Sequence, residues 1–462
     1  MWGNVCFSQI ENQQVEIILV NTAEPTRAAA SETSGSSGPS SAGAAGGVRL
    51  SARALRTPQP PIAWLMQQAF EVPGMISLAA GFVDQKSLPA TPVRDLIEEL
   101  YTDSDQVLRA LQYGLTGGLR GLREAIAARL EKRGMPGPVS PDHVAVTSGS
   151  QQLLYLITEA LVDPGDIVLV EDPTYFVYMG VLGSAGARIL GVATDDEGII
   201  PEALEKRLRE VSDAGQMHRL KMLYVMTYFQ NPKGTNHSQR RREQIYEIIE
   251  RWSTPENFIY ILEDAAYYEL RFEGEDVPFL KSLDTRNERV MTALTFSKGF
   301  APGLRLGYGY MPPALVEPVL NLKGNHDFGS GNLSQYIAHA ALASGRFDQH
   351  VEILRARYKD KRDAMLRVIR EEFPAEAQYA EPAGGLYVWV TLPEGVSTSP
   401  GSRFFQAAMA ERVLYVPGHY CYAQEPGRPK PENQMRLCYA YIDEAPLEEG
   451  VRRMGAAIKA AL

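Results

Sequence analysis

The chain has 462 residues, 45% of them hydrophobic and 22% charged, a balance long and apolar enough for two or three compact domains. Its 46 basic and 56 acidic residues leave a net charge of −10, which gives no general attraction to nucleic acid or to an anionic membrane. Three cysteines (Cys6, Cys421, Cys438) make no disulfide framework, and they and seven scattered histidines make no metal-ligand pattern, so a reducing, cytoplasmic setting and no metal are expected. No window approaches the ~18 uninterrupted apolar residues a membrane span requires. The first twenty residues lack the basic start and long apolar core of a signal peptide.

Residues from about Thr22 to Gly47 are mostly Ser, Gly, Ala and Pro, a composition that cannot bury enough surface to offset its ordering entropy. Residues 1–48 are therefore expected to be a disordered, low-complexity extension. From Leu50 the character changes. The stretch Arg53 to Ile62 leads into a short helix, and Met75–Ala79 reads as a strand ending in Ala80-Gly81. Leu122–Lys132 has helical periodicity, His143–Val146 is strand-like, Gln151–Leu161 is helical and Ile167–Val170 is a strand. The alternation continues through apolar runs at Met222–Met226, Phe258–Leu262 and Val290–Phe296, with a helical pattern at Arg240–Trp252. Strands spaced by helices imply a mostly parallel sheet covered on both faces, with ligands at the carboxyl ends of the strands. After Leu333 one long helical stretch runs to about Phe373, followed by strands at Gly385–Val390, Leu414–Val416 and Met435–Tyr439. The expected division is an arm and small-domain segment over 49–95, a large domain over 96–335, and a smaller α+β domain closing the chain over 336–462.

Polar groups of distinct chemistry stand just past five of these apolar runs. Thr147-Ser148-Gly149-Ser150-Gln151 opens a helix and can present hydroxyls, an amide and a helix N-terminus to an anion, though Ser-Gly-Ser is equally an ordinary cap. Asp172-Pro173-Thr174-Tyr175 either offers a ring face to a flat ligand or is a turn before a buried tyrosine. Asn231-Pro232 is a turn whose amide could donate to a ring oxygen. Glu263-Asp264 ends a strand with a carboxylate that either pairs with a protonated ring nitrogen or caps the next turn, with Tyr267 close behind. Lys298, bracketed by Thr295, Ser297 and Arg305, is a strand-end lysine that snorkels to solvent or is used covalently. A phosphate cup, a stacking ring, an amide, a carboxylate and an amine are together the complement of pyridoxal phosphate.

On these motifs the chain from about Leu50 onward resembles the fold-type I, pyridoxal-phosphate-dependent aminotransferases of class I/II, and most closely their 2-aminoadipate/kynurenine branch. That branch also supplies the effector domain of some bacterial transcription regulators. The resemblance implies an α/β, three-layer αβα large domain and a small α+β domain formed by the C-terminal part and the N-terminal arm. It implies Lys298 as the Schiff-base lysine, Asp264 as partner of the pyridine nitrogen and Tyr175 stacked on the ring. It further implies Tyr267 and Asn231 at the ring hydroxyl, and Ser150, Gln151, Thr295, Ser297 and Arg305 at the phosphate. Tyr113, in Leu111-Gln112-Tyr113-Gly114, would reach the neighbouring subunit's cofactor in a homodimer. Pro382 to Trp389, Val416-Pro417-Gly418 and Met435-Arg436-Leu437 match the closing motifs, with Arg436 as the clamp for the substrate α-carboxylate and Asn231, Gly81 and Arg56 beside the substrate.

The arm departs from the family pattern at Ala80-Gly81-Phe82-Val83 and at Leu88-Pro89, which leaves substrate choice open, and Lys233 replaces the commoner Thr. The expected activity is ping-pong transamination between an L-amino acid, aromatic or 2-aminoadipate-like, and a 2-oxo acid such as 2-oxoglutarate. A lyase or decarboxylase on the same cofactor and a non-catalytic regulator-like domain are the alternatives. The segment before the fold is too short and too simple for the regulators' DNA-binding domain. A Ser-Lys hydrolase at Ser297-Lys298 leaves Asp264, Asn231, Tyr175 and Arg436 without a purpose.

Overall fold

A computed structural model describes residues 49–462, so the expectation for residues 1–48 lies outside the described residues. The strands in chain order are β1 (Ile76–Ser77), β2 (Val144–Thr147), β3 (Ile167–Asp172), β4 (Arg188–Asp195), β5 (Gly198–Ile199), β6 (Leu220–Val225) and β7 (Tyr260–Asp264). They continue with β8 (Val290–Thr295), β9 (Gly307–Tyr310), β10 (Gln378–Tyr379), β11 (Tyr387–Thr391), β12 (Val413–Leu414), β13 (Val416–Pro417) and β14 (Gln434–Cys438). Eight of them form one sheet in the order β2-β9-β8-β7-β6-β3-β4-β5. The β8–β7–β6–β3–β4 contacts are parallel; β9 runs antiparallel to both β2 and β8, and β5 to β4. The carboxyl ends of β2, β3, β6, β7 and β8 therefore share one edge, which is what brings the polar motifs together.

Alternation along these strands sends side chains to two cores. Ile167, Leu169, Leu223 and Ile261 pack with Leu204, Leu208, Ile245 and Ile249 of the helices Pro201–Asp213 and Gln239–Trp252. Val168, Val170, Met222 and Leu262 belong to the core on the other side, with Leu153, Leu156 and Leu182 of the helices Ser150–Leu161 and Phe176–Ala185. The result is helix on sheet on helix. A second, antiparallel sheet has the order β10-β11-β14-β13, and β1 pairs in parallel with β12, so the segment after the arm is stitched to the C-terminal part.

Three expectations need correction. The helical stretch after Leu333 is two helices, Asn332–Ala343 and Arg346–Glu372, separated at Gly345, whose φ of +74° stops the first. The strand near Leu414–Val416 is two, since β12 pairs with β1 and β13 with β14. β4, β5, β9 and β10 were not foreseen. In β9, Gly-Tyr-Gly-Tyr reads as loop because glycine is poor in strands. Here it is required: a Cβ on Gly307 would lie 2.3 Å from the Ser150 amide nitrogen, and one on Gly309 would lie 2.4 Å from Leu153 Cδ2. Glycine thus lets the first turn of the helix Ser150–Leu161 settle onto the sheet.

Candidate active site

At the shared strand edge a cavity of about 390 Å³ is lined by Ser150, Gln151, Tyr175, Asn231, Asp264 and Tyr267, and also by Thr295, Ser297, Lys298, Arg305, Arg436 and Gly81. Past β2, Gly149 turns with φ +81° into the helix Ser150–Leu161, whose first amides have no partner within the helix. A Cβ on Gly149 would lie 2.9 Å from an Arg305 nitrogen, so this guanidinium overhangs the helix start. Past β8, Thr295 caps the short helix Phe296–Gly299 by accepting from the Ser297 amide at 3.1 Å. Hydroxyls, a helix N-terminus and a guanidinium on one wall suit a phosphate.

Lys298 rides on that short helix, and its Nζ donates to the Gly81 carbonyl at 3.0 Å. Burial, with the charges of Arg436 and Arg305 added, lowers its pKa to about 8. At the end of β7, Asp264 accepts from the Tyr224 hydroxyl at 2.9 Å and from the Ala266 amide at 3.1 Å. Burial nevertheless pushes its carboxyl up to about 6. Arg436, on β14, is 2% exposed; Nη1 donates to Asn231 Oδ1 at 2.9 Å and Nη2 to the Ala79 carbonyl at 2.7 Å. Its guanidinium lies 4.2 Å from the centre of the Tyr387 ring, and its buried Nε has no partner among the described residues. The Tyr267 and Tyr387 hydroxyls stand 2.9 Å apart.

Three cations, Lys298, Arg305 and Arg436, thus face the cavity against one carboxylate, Asp264, among the described residues. The surplus and the orphaned Nε of Arg436 are what an anionic ligand would complete. An amine with a lowered pKa, a buried carboxylate and a phosphate wall in one cavity fit pyridoxal phosphate, and a carboxylate-bearing substrate fits Arg436.

Two expected residues are not brought to this cavity. The Arg56 guanidinium donates instead to the carbonyls of Ser184 (2.7 Å) and Ala185 (3.2 Å), the last turn of the helix Phe176–Ala185, which attracts cations. Tyr113 is 82% exposed and edge-on to Phe328. Sequence reasoning passed over Tyr387, although it lies inside the quoted Pro382–Trp389 motif, and over Tyr224. A tyrosine in the apolar run Met222–Val225 of β6 was the available signal for the second, since a hydroxyl buried there must find a partner. The apolar lining of Ile62, Phe82, Phe176, Val177 and Met226 was also not foreseen.

A sequence model of the family "Aminotransferase class I and II" matches residues 73–454. The chain is similar to aromatic-amino-acid aminotransferase 1 of Thermococcus litoralis, 34% identical over 389 residues that cover 84% of this chain and 89% of that protein. Its fold is similar to the crystal structure of Pyrococcus horikoshii kynurenine aminotransferase in complex with PMP, with a TM-score of 0.81 and 33% identity over 89% of this chain and 96% of that one. It is also similar to LysN, the α-aminoadipate aminotransferase of Thermus thermophilus, solved with N-(5'-phosphopyridoxyl)-L-leucine (TM-score 0.76, 30% identity, 89% and 97% covered). The chain belongs to the class I and II aminotransferases, pyridoxal-phosphate-dependent enzymes of fold type I.

Proposed function

We propose that the chain moves an amino group from an L-amino acid to a 2-oxo acid such as 2-oxoglutarate, in two half-reactions at one site. The apolar walls formed by Ile62, Phe82, Phe176, Val177 and Met226 favour a bulky, aromatic donor, and the names of the relatives point the same way. Pyridoxal phosphate, when bound, supplies a carbonyl for a primary amine to condense with and a ring that accepts the electrons left by a departing Cα proton.

The chain's own groups do the rest. Ser150, Gln151, Thr295, Ser297 and Arg305 would hold the phosphate, Tyr175 would cover the ring, and Asn231 and Tyr267 would meet the ring oxygen. Asp264 would sit against the ring nitrogen and favour its protonated form, and that opposite charge would in turn keep Asp264 ionised. Lys298, whose pKa of about 8 leaves a usable fraction of free base near neutrality, would supply the amine that holds the cofactor and would serve as the base and acid at the substrate Cα. Arg436, whose buried Nε is unpaired among the described residues, would clamp the α-carboxylate, and Gly81, which lacks a Cβ and so lets the arm pack against the Tyr387 hydroxyl, would lie beside the substrate. Arg56 is left out of this reading, because its guanidinium is engaged elsewhere.

Residues 49–95 with 336–462 are proposed as the small domain and 96–335 as the large one. The active unit is proposed to be a homodimer in the cytoplasm, where the buried free thiols Cys421 and Cys438 stay reduced. Exposed Tyr101, Leu108, Leu111, Tyr113, Leu115 and Phe328 are the apolar side chains a second copy would cover, bringing Tyr113 to the partner's phosphate wall.

The observation that carries the reading is the convergence of Lys298, Asp264 and Arg436 on one cavity. Its test is to load the purified protein with pyridoxal phosphate and supply single amino acids with 2-oxoglutarate. Oxo-acid formation and a visible absorption band, both lost in Lys298→Ala, are expected. A band without turnover of any amino acid would overturn the transfer reaction.

A further inference from the structure

Tyr267 and Tyr387 meet hydroxyl to hydroxyl at 2.9 Å with their rings edge to face at 5.7 Å, and both line the cavity. Nothing separates the Tyr387 hydroxyl from the arm, for a Cβ on Gly81 would stand 2.5 Å from it. The Gly81 carbonyl is in turn the acceptor for Lys298. The phenol pair therefore lies between the amine and the guanidinium that the reaction uses, with Arg436 over the Tyr387 ring.

A phenol has one proton to donate and lone pairs to accept with. If Tyr267 gives its proton to Tyr387, it has none left for a ligand. If Tyr387 donates, Tyr267 keeps its proton, and accepting a bond strengthens the one it gives. Burial pushes both phenols above the ordinary range, so both are protonated near neutrality and each has a proton to donate. The charged or titratable groups facing the pair are Tyr175 from the loop after β3, Arg436 and Cys438 from β14, and Cys421. Arg436 and, through the Gly81 carbonyl, Lys298 are the cations beside the pair, and the position of Arg436 over the Tyr387 ring favours that hydroxyl as the donor.

We infer that Tyr387 is a positioning residue whose hydroxyl donates to Tyr267 and so directs the Tyr267 proton at the ring oxygen of the cofactor. The inference rests on the proposed contact between Tyr267 and that oxygen. A proton donated there stabilises the oxygen as an anion and lets the adjacent lysine-bound nitrogen lose its proton at lower pH. Weakening the donation must raise that midpoint.

The test is a pH titration of the visible band of the loaded enzyme, a readout independent of turnover. Tyr387→Phe keeps the ring under Arg436 and is expected to raise the midpoint by roughly half a pH unit. Tyr267→Phe should raise it further, and the double variant should match Tyr267→Phe alone, because Tyr387 acts only through Tyr267. Replacing Tyr387 with 3-fluorotyrosine, which leaves the fold intact and makes the hydroxyl a stronger donor, should lower the midpoint. A midpoint unmoved or lowered by Tyr387→Phe, additive single effects, or no response to the fluorotyrosine overturns the inference. A midpoint unmoved by Tyr267→Phe removes the Tyr267 contact itself, and the inference with it.

Discussion

Lys298 illustrates how a cavity tunes one group. With its pKa lowered to about 8, roughly a tenth of the amine is free base at pH 7, against a few parts in ten thousand for an ordinary lysine at 10.5. The rate at which cofactor-free protein captures pyridoxal phosphate should therefore rise with pH and level off with a midpoint near 8. Stopped-flow absorbance measures this, and a midpoint near 10 would mean that the lowered value is wrong. Arg436 makes a geometric demand instead. Its Nη1 and Nη2 are tied to Asn231 and Ala79, which fixes the plane of the guanidinium in the cavity, and a lysine cannot reproduce that planar fork. Arg436→Lys should raise KM for the amino acid with a loss of about 2 kcal/mol, roughly thirtyfold in kcat/KM. Unchanged steady-state kinetics would remove Arg436 as the carboxylate clamp.

Between elements, the most exacting junction is at Asp84, 1% exposed, where the segment after the arm meets the helix Arg346–Glu372. It accepts from the fully buried Lys361 at 2.7 Å and from Arg357 at 3.3 Å, and Lys361 also donates to the Ala440 carbonyl. Asp84→Ala would strand the Lys361 ammonium and should cost about 3–5 kcal/mol in denaturant unfolding. Burial pushes the Asp84 carboxyl up, but Lys361, Ser87 and Arg357 outweigh it and hold the group below its ordinary 3.8. A depressed carboxylate contributes stability that is present above its unfolded value and lost as pH falls through the lower, folded one. The Asp84→Ala protein should accordingly show a flatter stability curve below about pH 4 than the parent. At this scale the sequence was readable wherever apolar runs alternate with helical patterns, as at β2, β3, β6, β7 and β8. It was unreadable at β9, where Gly307 and Gly309 serve a neighbouring helix rather than their own strand, and at Gly345, where one residue divides a continuous periodicity.

For the whole molecule the open question is the second copy. If Tyr113 serves the partner's cofactor, neither Lys298→Ala nor Tyr113→Ala supports normal activity alone, yet mixing them builds hybrid dimers with one intact site each. Unfolding and co-refolding equal amounts should restore about a quarter of the wild-type sites, half the dimers being hybrids. An assay no better than the sum of the two variants would place Tyr113 outside the shared site. The arm is placed by the same global packing. Arg56 stands where the resemblance implies either a substrate contact or a solvated arm residue, yet the folded arm carries it to the Ser184 and Ala185 carbonyls.

Which reactive group follows which apolar run, and in what order, is legible in the chain itself, because an apolar run followed by a lysine, carboxylate, amide or hydroxyl is a local pattern that strand and helix formation preserve. Tertiary structure decided which of these groups touch. Lys298 meets Gly81 across 217 residues, Arg436 meets Asn231 across 205, and Tyr267 meets Tyr387 across 120. Such pairings follow from sheet order and from the approach of β11 and β14 to the strand ends, and no local propensity encodes them. The lowered amine, the raised carboxyl of Asp264 and the paired phenols are consequences of that closure, since burial is a property of the assembled fold.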